Sequence, residues 1–438
     1  RTVRLQQFKV DPKLLEALNS VDDEELVRLL RDTGGDPARI VKLAEVTTGR
    51  AITDALTSIY VNNLVSGPWT QAVNLMGNGY MLGVRPFERM IGALPQAALG
   101  NVDARRVLKD SLRQYGFMST ALSSGFTQAA KAFLRNDSVI LPHHAEAFTK
   151  GAPYGNWKPW QAFREVNNVG DLLFNALILP MPAMSLPTRI LGTVDELVKQ
   201  TVYRSHVASK ALYDGSVAAT AAGLTGKEAK RYVKDFVKSK VDGAFDAEGR
   251  GLDPEALREA LITTFQQDLG AGTLGRSVNN LTANHPALRL VLPFVKTPTN
   301  ILRYGWKMTP VLNRFQKEFS SHLKGEAGPA LQAQAKGQEA LGVLFMGAAA
   351  AMVSQGYVTG AGPKDPKLSA ALRATGWMPY SVVVQNDDGT RSYYSYGRLD
   401  PLAIPFGIVA DIQDAIYAAQ HSEEPPGIGE TIGALGIA

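Results

Sequence analysis

The sequence predicts a mainly α-helical protein, a multi-helix assembly of broken, proline-jointed helices with one small β-hairpin near residues 380–396. Three observations lead there. Apolar residues recur at helical spacing over residues 102–135 and 193–214. Pairs that suit helix starts recur along the chain: Asp11-Pro12, Asp36-Pro37, Asp253-Pro254, Thr297-Pro298 and Thr309-Pro310 each set a capping side chain before a proline with no N–H to lose. Clear strand-type alternation is confined to Tyr380 to Gln385 and Arg391 to Tyr396, on either side of the turn sequence Asn386-Asp387-Asp388-Gly389. The pattern divides the 438 residues into four regions. Residues 1–50 form a small N-terminal helical region, and residues 51–190 a helical region with long uncharged segments. Residues 191–330 carry helices and a basic, Thr-Pro-jointed ribbon, and residues 331–438 an apolar helix, the hairpin and a truncated C-terminal helix.

In the first region, helices are expected after Asp11-Pro12 (Leu14, Leu15, Leu18), between Ser20 and Gly34-Gly35 (Leu26, Leu29, Leu30), and from Asp36-Pro37. From Ala55 to Val84 the chain carries no charge. That is long enough to cross a bilayer, since about 20 helical residues span roughly 30 Å. Gly67-Pro68 breaks the run, however, and Asn62, Asn63, Gln71, Asn74 and Asn78 are costly in lipid unless paired, so a buried helix pair is expected. Over residues 102–135, Val107, Leu108, Leu112, Tyr115, Leu122, Phe126 and Phe133 mark the inward face of a long helix. His143-His144-Ala145-Glu146 follows in a loop; adjacent histidines point apart on a helix, so no metal site is expected from them. Pro153, Tyr154, Trp157, Pro159 and Trp160 form an aromatic loop suited to the protein surface or a membrane interface. The uncharged run Leu172 to Thr188 is interrupted by Pro180, Pro182 and Pro187, which argues against a regular spanning helix.

Thr193 and Glu196 have the spacing of a capping box. After them Val194, Leu197, Val198, Val202 and Leu212 line an apolar face, and Asp195, Lys199, Tyr203, His206, Lys210 and Asp214 a polar one, with His206 expected in solvent. A basic helix over Lys227 to Lys240 and a helix from Asp253-Pro254 burying Leu257, Leu261, Phe265 and Leu269 complete an antiparallel arrangement. The ribbon from Leu288 to Phe319 reads as three short helices set at angles, with Thr297 and Thr309 as N-caps. Arg289, Lys296, Arg303, Lys307, Arg314 and Lys317 punctuate it, opposed within the ribbon by Glu318. They form either the solvated edge of a core hairpin or a DNA-facing strip. Ala340 to Pro363 is a second uncharged segment, about 36 Å long as a helix. Its residues Leu344, Phe345, Met346, Gly347, Ala351 and Met352 are expected to pack against the core, another subunit or a membrane, with the core favoured in the resting state.

Four stretches carry a resemblance. Asn63-Leu64-Val65-Ser66-Gly67-Pro68-Trp69-Thr70 with Val73-Asn74, then Pro293-Phe294-Val295-Lys296-Thr297-Pro298-Thr299-Asn300-Ile301 with Thr309-Pro310, come first. Thr359-Gly360-Ala361-Gly362-Pro363 and Gly376-Trp377-Met378-Pro379-Tyr380-Ser381 with Arg398-Leu399-Asp400-Pro401 follow. In that order they resemble segments of internal virion (DNA ejection) proteins of tailed bacteriophages, including large polyvalent phage proteins. The resemblance implies a structural component stored in the virion interior and delivered into the host. There it would oligomerise with itself and other ejection proteins into a conduit for double-stranded DNA across the bacterial cell envelope, in the periplasm or inner membrane.

Composition fits a non-enzymatic role. Zero cysteine removes disulfides, thiolate metal sites and cysteine nucleophiles. A net charge of +5 suits nucleic acid or anionic lipid without requiring either. Leu224-Thr225-Gly226-Lys227-Glu228 lacks the leading glycine and the hydroxyl residue of a phosphate-binding loop, and neither HExxH nor GxSxG occurs. No catalytic residue, metal or cofactor is therefore expected. Arg1-Thr2-Val3-Arg4 lacks a signal-peptide layout, so secretion by the usual route is not expected; the chain has no initiator methionine and Thr431 to Ala438 stop within an apolar run, so it is expected to be part of a longer polypeptide. The competing expectations are a fragment of a giant virion polymerase or peptidoglycan hydrolase, and an integral membrane channel.

Overall fold

The computed structural model describes residues 48–151, 157–166, 169–270, 273–284, 288, 292–363, 365–399 and 401–421. They form α1 (Thr48–Val65), α2 (Pro68–Ala98), α3 (Val102–Arg135), α4 (Glu146–Gly151), α5 (Val169–Ile178), α6 (Met181–Met184), α7 (Leu186–Ala221), α8 (Gly226–Asp242) and α9 (Pro254–Thr263). Then come α10 (Leu274–Asn284), α11 (Lys296–Lys307), α12 (Lys317–Lys324), α13 (Pro329–Ser354), α14 (Pro366–Ala374), strands β1 (Ser381–Gln385) and β2 (Arg391–Ser395), and α15 (Ala403–His421). The molecule is mainly helical with one small antiparallel strand pair. The helices expected over residues 1–47 lie outside the described residues, as do Pro153, Tyr154, Arg289 and Asp400.

The central element is α7, which packs on α1, α2, α3, α4, α8 and α9. It begins at Leu186, with Pro187 in its first turn, well before the expected start at Thr193. Thr193 therefore sits inside the helix, its hydroxyl on Arg189 O, and Glu196 does not complete a capping box. Instead Glu196 accepts from Ser138 Oγ (2.6 Å), Ile140 N (3.0 Å) and Gln200 Nε2 (2.9 Å), fastening the loop after α3. The expected polar face is largely interior: Asp195, Lys199 and Tyr203 are all buried because neighbours surround this helix. Asp195 accepts from Asn78 Nδ2 (2.7 Å), Lys199 Nζ reaches Gln266 Oε1 (2.6 Å), and Tyr203 Oη donates to Ala244 O (2.6 Å). His206 is not in solvent either; its side chain is 13 % exposed and its Nε2 lies 3.8 Å from Glu255.

The uncharged run after Ala55 breaks at Gly67-Pro68 as expected, with Pro68 starting α2. The two helices share α7 and otherwise take different neighbours, α1 packing on α4 and α5, and α2 on α3 and α13. Three of their amides find partners: Asn62 Oδ1 accepts from Thr188 N and Oγ1, Gln71 donates to Pro187 O, and Asn78 donates to Asp195. Helix α3 has the expected bounds, capped by Asn101, whose side chain accepts from Ala104 N, and closed by Asn136 in the left-handed region. Its buried stripe differs from expectation. Val107 is buried as expected with Leu108 packed beside it, but Ala104, Ser111, Ala121, Gly125, Ala129 and Ala132 make up most of the inward face, while Leu112 and Phe126 are exposed. Close approach explains this, since a Cβ on Gly125 would already sit 3.2 Å from Leu197 and Thr201 of α7.

In the C-terminal part, β1 and β2 pair from Ser381↔Ser395 to Gln385↔Arg391, and Asn386 N closes the turn on Thr390 O. The pair packs with α15 and the end of α13 around Val358, Tyr396 and Ala410. The N-terminal half of α13 crosses α2 so closely that a Cβ on Gly337 would overlap Glu88 O, and one on Gly92 would overlap Ala333 O. Its C-terminal half differs. Leu344 is 66 % exposed, Gly347 and Ala351 are exposed, and Phe345, Met346 and Met352 are half-buried. Core packing is thus partial here: Phe345 lies against the cluster of Met81, Tyr304 and Leu341 and Met352 against that of Val358, Tyr396 and Ala410, whereas Leu344, Gly347 and Ala351 are left uncovered by the described residues.

Candidate functional site

The basic ribbon is built as α11, a 3₁₀ turn at Leu312–Phe315, and α12. Neither threonine is an N-cap. Helix α11 starts one residue before Thr297, and its first N–H groups are capped by an acid from elsewhere in the chain: Glu146 of α4 accepts from Lys296 N (3.3 Å), Thr297 N (3.1 Å) and Thr297 Oγ1 (3.2 Å). Thr309 closes the other end of α11, its hydroxyl donating to Gly305 O. The chain then turns at Val311, whose φ of 72° lies in the left-handed region disfavoured for a β-branched residue.

The structure disperses the cations that sequence spacing placed on one strip. Lys296 Nζ pairs with Asp268 at 2.9 Å, and His144 Nε2 beside it donates to Gln266 O at 2.8 Å. His143 turns away to Asp137 at 2.7 Å. Arg314 pairs with Glu339 of α13 at 2.5 Å, and Lys317 is exposed. Arg303 and Lys307 share Glu318 of α12, at 2.8 and 3.7 Å. Glu318 is thus one of three acids that answer the ribbon, the other two coming from outside it.

Arg303 and Lys307 instead line a cleft of about 280 Å³ between α2, α9, α11 and α12, together with Arg85, Arg258, Asp268 and Glu318. Arg85 and Arg258 were not marked by sequence pattern. Arg85 had a signal, being the first charge after thirty uncharged positions, where burial is the natural reading. It is 4 % exposed, and its Nη2 donates to both carboxylate oxygens of Glu259 of α9, at 3.0 and 3.2 Å. Arg89 adds a 3.6 Å contact to the same carboxylate and donates to Gln114. The two guanidiniums hold Glu259 far below the usual carboxylate range despite its burial. Glu88, fully buried between them, behaves oppositely: burial pushes its pKa up to about 7, against the pull of Arg85 and of donors from Tyr304, Gln334 and Gln338. Burial lowers the pKa of Lys307, with Glu318 opposing that effect and Arg303 and Arg85 adding to it.

The segments that carry the resemblance are corners of the fold. The backbone N–H groups of Ala361 and Gly362 donate to Asp411 (2.8 Å) and Asp414 (3.0 Å) of α15. Gly362, at φ 79°, lies so close under Trp377 that a Cβ there would overlap its ring. Tyr380 Oη reaches Asp411 at 3.2 Å, and Tyr396 Oη donates to Thr359 O at 2.9 Å. Asn300 of the ribbon motif donates to Phe265 O and Gln267 O, locking α11 to the end of α9. These residues position helices. Among the described residues no group of histidines and acids is arranged to hold a metal ion. Comparison with protein-family models, curated proteins and solved structures matches the chain to none of them.

Proposed function

We propose that this protein is a structural, self-associating component of a phage ejection apparatus, stored inside the virion and assembled after delivery into a DNA conduit through the host envelope. The phage setting is drawn from the ordered sequence motifs. Assembly is supported by one observation: the C-terminal half of α13 is apolar, uncharged and largely uncovered, with Val343 at 57 % and Leu344 at 66 % exposure. Its 26 residues are long and apolar enough to cross a membrane, although only 28 % of the most apolar window is buried within the chain. Such a face is covered in the working state by a second copy, another ejection protein or lipid. Exposed Arg314 and Lys317 supply weak, salt-screened contact with passing phosphates, since a tight grip would stall the DNA.

The test is sedimentation of the purified chain over a range of concentrations, with and without liposomes, beside a Val343→Gln/Leu344→Gln variant. Association that the variant loses is the expected result. A monomer at every concentration that ignores lipid would overturn assembly through α13. Detection of the protein in phage particles before ejection and its loss from emptied capsids tests the setting; turnover of peptidoglycan or nucleotides would favour an enzyme fragment instead.

A further inference from the structure

The cleft beside α11 carries more positive charge than its own acids neutralise. Its lining brings Arg85, Arg258, Arg303 and Lys307 against Asp268 and Glu318. Asp268 is engaged by Lys296 at 2.9 Å and Arg85 by Glu259 at 3.0 Å, which leaves Glu318 as the acid facing Arg258, Arg303 and Lys307. Arg303 makes a hydrogen bond to it at 2.8 Å, whereas Lys307 at 3.7 Å and Arg258 at 4.0 Å stand beyond hydrogen-bond length. One carboxylate is thus shared by three cationic heads and satisfies one of them. Arg85 contributes a buried guanidinium whose Nε has no hydrogen-bond partner among the described residues. His322, one turn after Glu318, is held below its ordinary pKa by burial and by the Lys307 charge, consistent with surplus positive potential there.

We propose that this cleft binds a phosphate group, with Arg258, Arg303 and Lys307 as its ligands and Glu318 as a resident competitor that the phosphate displaces. A phosphate presents three acceptor oxygens and up to two charges, which matches two guanidinium forks and an ammonium better than the two oxygens of Glu318 do. The volume of about 280 Å³ lies just under the roughly 300–1,000 Å³ of small-molecule pockets, so the cleft suits a phosphate with a small ester substituent and not a duplex. Glu318 is able to yield because α12 is an eight-residue surface helix and the carboxylate side chain is 39 % exposed. The site stands on its own residues and is independent of assembly through α13.

The experiment is calorimetric titration of the full chain with inorganic phosphate at low chloride, with sodium acetate as the comparison anion. Saturable phosphate binding that acetate does not reproduce is expected. Arg258→Gln is the main variant, because Arg258 is half exposed and its removal leaves the Arg303–Glu318 bond intact. It should weaken binding about tenfold, as loss of one charge-assisted contact does. Glu318→Gln should tighten binding about tenfold by removing the competitor, a change that a merely structural ion pair would not produce. Lys234→Gln on α8, outside the cleft, should bind as the parent does. Titration with a 5′-phosphorylated and an unphosphorylated thymidine oligonucleotide then separates sources: binding of the first alone identifies a strand end, and binding of inorganic phosphate alone a small metabolite. No heat up to about 20 mM phosphate, well beyond the affinity expected of a built site, would overturn the proposal. So would equal acetate binding, or weaker binding by Glu318→Gln in a variant that keeps the parent's helical signal.

Discussion

Helices α7 and α13 invert the usual relation between hydropathy and burial. The first carries Arg189, Asp195, Glu196 and Lys199 and is enclosed on nearly every side; the second is the one described helix long and apolar enough to cross a membrane, and half of it faces outward. The difference teaches that burial here follows available partners. Each α7 charge meets a specific counterpart: Arg189 reaches Phe133 O at 2.6 Å and stacks over Trp157, and Glu196 collects three donors. Buried charges are tolerated when hydrogen bonds replace the water they lose. Helix α13 is buried where glycines let α2 approach, whereas beyond Gly342 the described chain covers one side of it, at Phe345, Ala349, Met352 and Val353, and leaves Val343, Leu344, Gly347 and Ala351 open.

Substitutions can break this inversion, and the largest effect belongs to α7. Glu196→Ala should destabilise by about 3–5 kcal/mol, because it strands the Ser138 hydroxyl and the Ile140 N–H in the interior; urea unfolding would measure it. Next comes the acid under the α2–α13 crossing. Folding raises Glu88 from the ordinary 4.5 to about 7, so the fold favours its protonated form. The stability this contributes is complete below pH 4.5 and is lost as pH rises through 7, a change on the order of 3 kcal/mol. Glu88→Gln should flatten the denaturation midpoint between pH 5 and about 7.5, the window this one titration spans. Acids held low, Glu259 and Glu255, lose their contribution only below that window.

Smaller effects sharpen the contrast within α13 itself. Gly337→Ala forces a methyl into the backbone of Glu88 and should cost about 1–3 kcal/mol. Gly347→Ala, ten positions along the same helix, meets nothing within 4 Å and should stabilise by up to about 1 kcal/mol through helix propensity. If both substitutions shift the melting temperature alike, the two halves are not packed differently. Leu344→Gln should leave the stability of the monomer within about 0.5 kcal/mol, since surface changes rarely do more.

Much of the local structure was readable from residues near one another in the chain. Asn101 and Asn136 bracket α3, Asp253-Pro254 opens α9, and the Asn386 to Thr390 turn sets the hairpin register, each through contacts a few residues apart. Expectations failed where a distant group intervened. Thr297 looked like a cap, but Glu146 from α4 occupies that role. Leu112 and Phe126 of α3 suit the inward face by spacing, but contact with α7 selects the small residues Ala121, Gly125 and Ala129 instead. In the cleft, Arg303, Lys307 and Glu318 were legible from ribbon spacing, whereas Arg85 and Arg258 arrive from helices more than forty positions away in sequence.

By itself the sequence determined most of the described helices, the break at Gly67-Pro68, the start at Asp253-Pro254 and the hairpin, because capping, φ restriction and turn chemistry act over a few residues. The tertiary structure alone decided which face of each helix is interior and which acid meets each cation. Those outcomes depend on the distance between segments remote in the chain, and neither side-chain periodicity nor hydropathy encodes that distance.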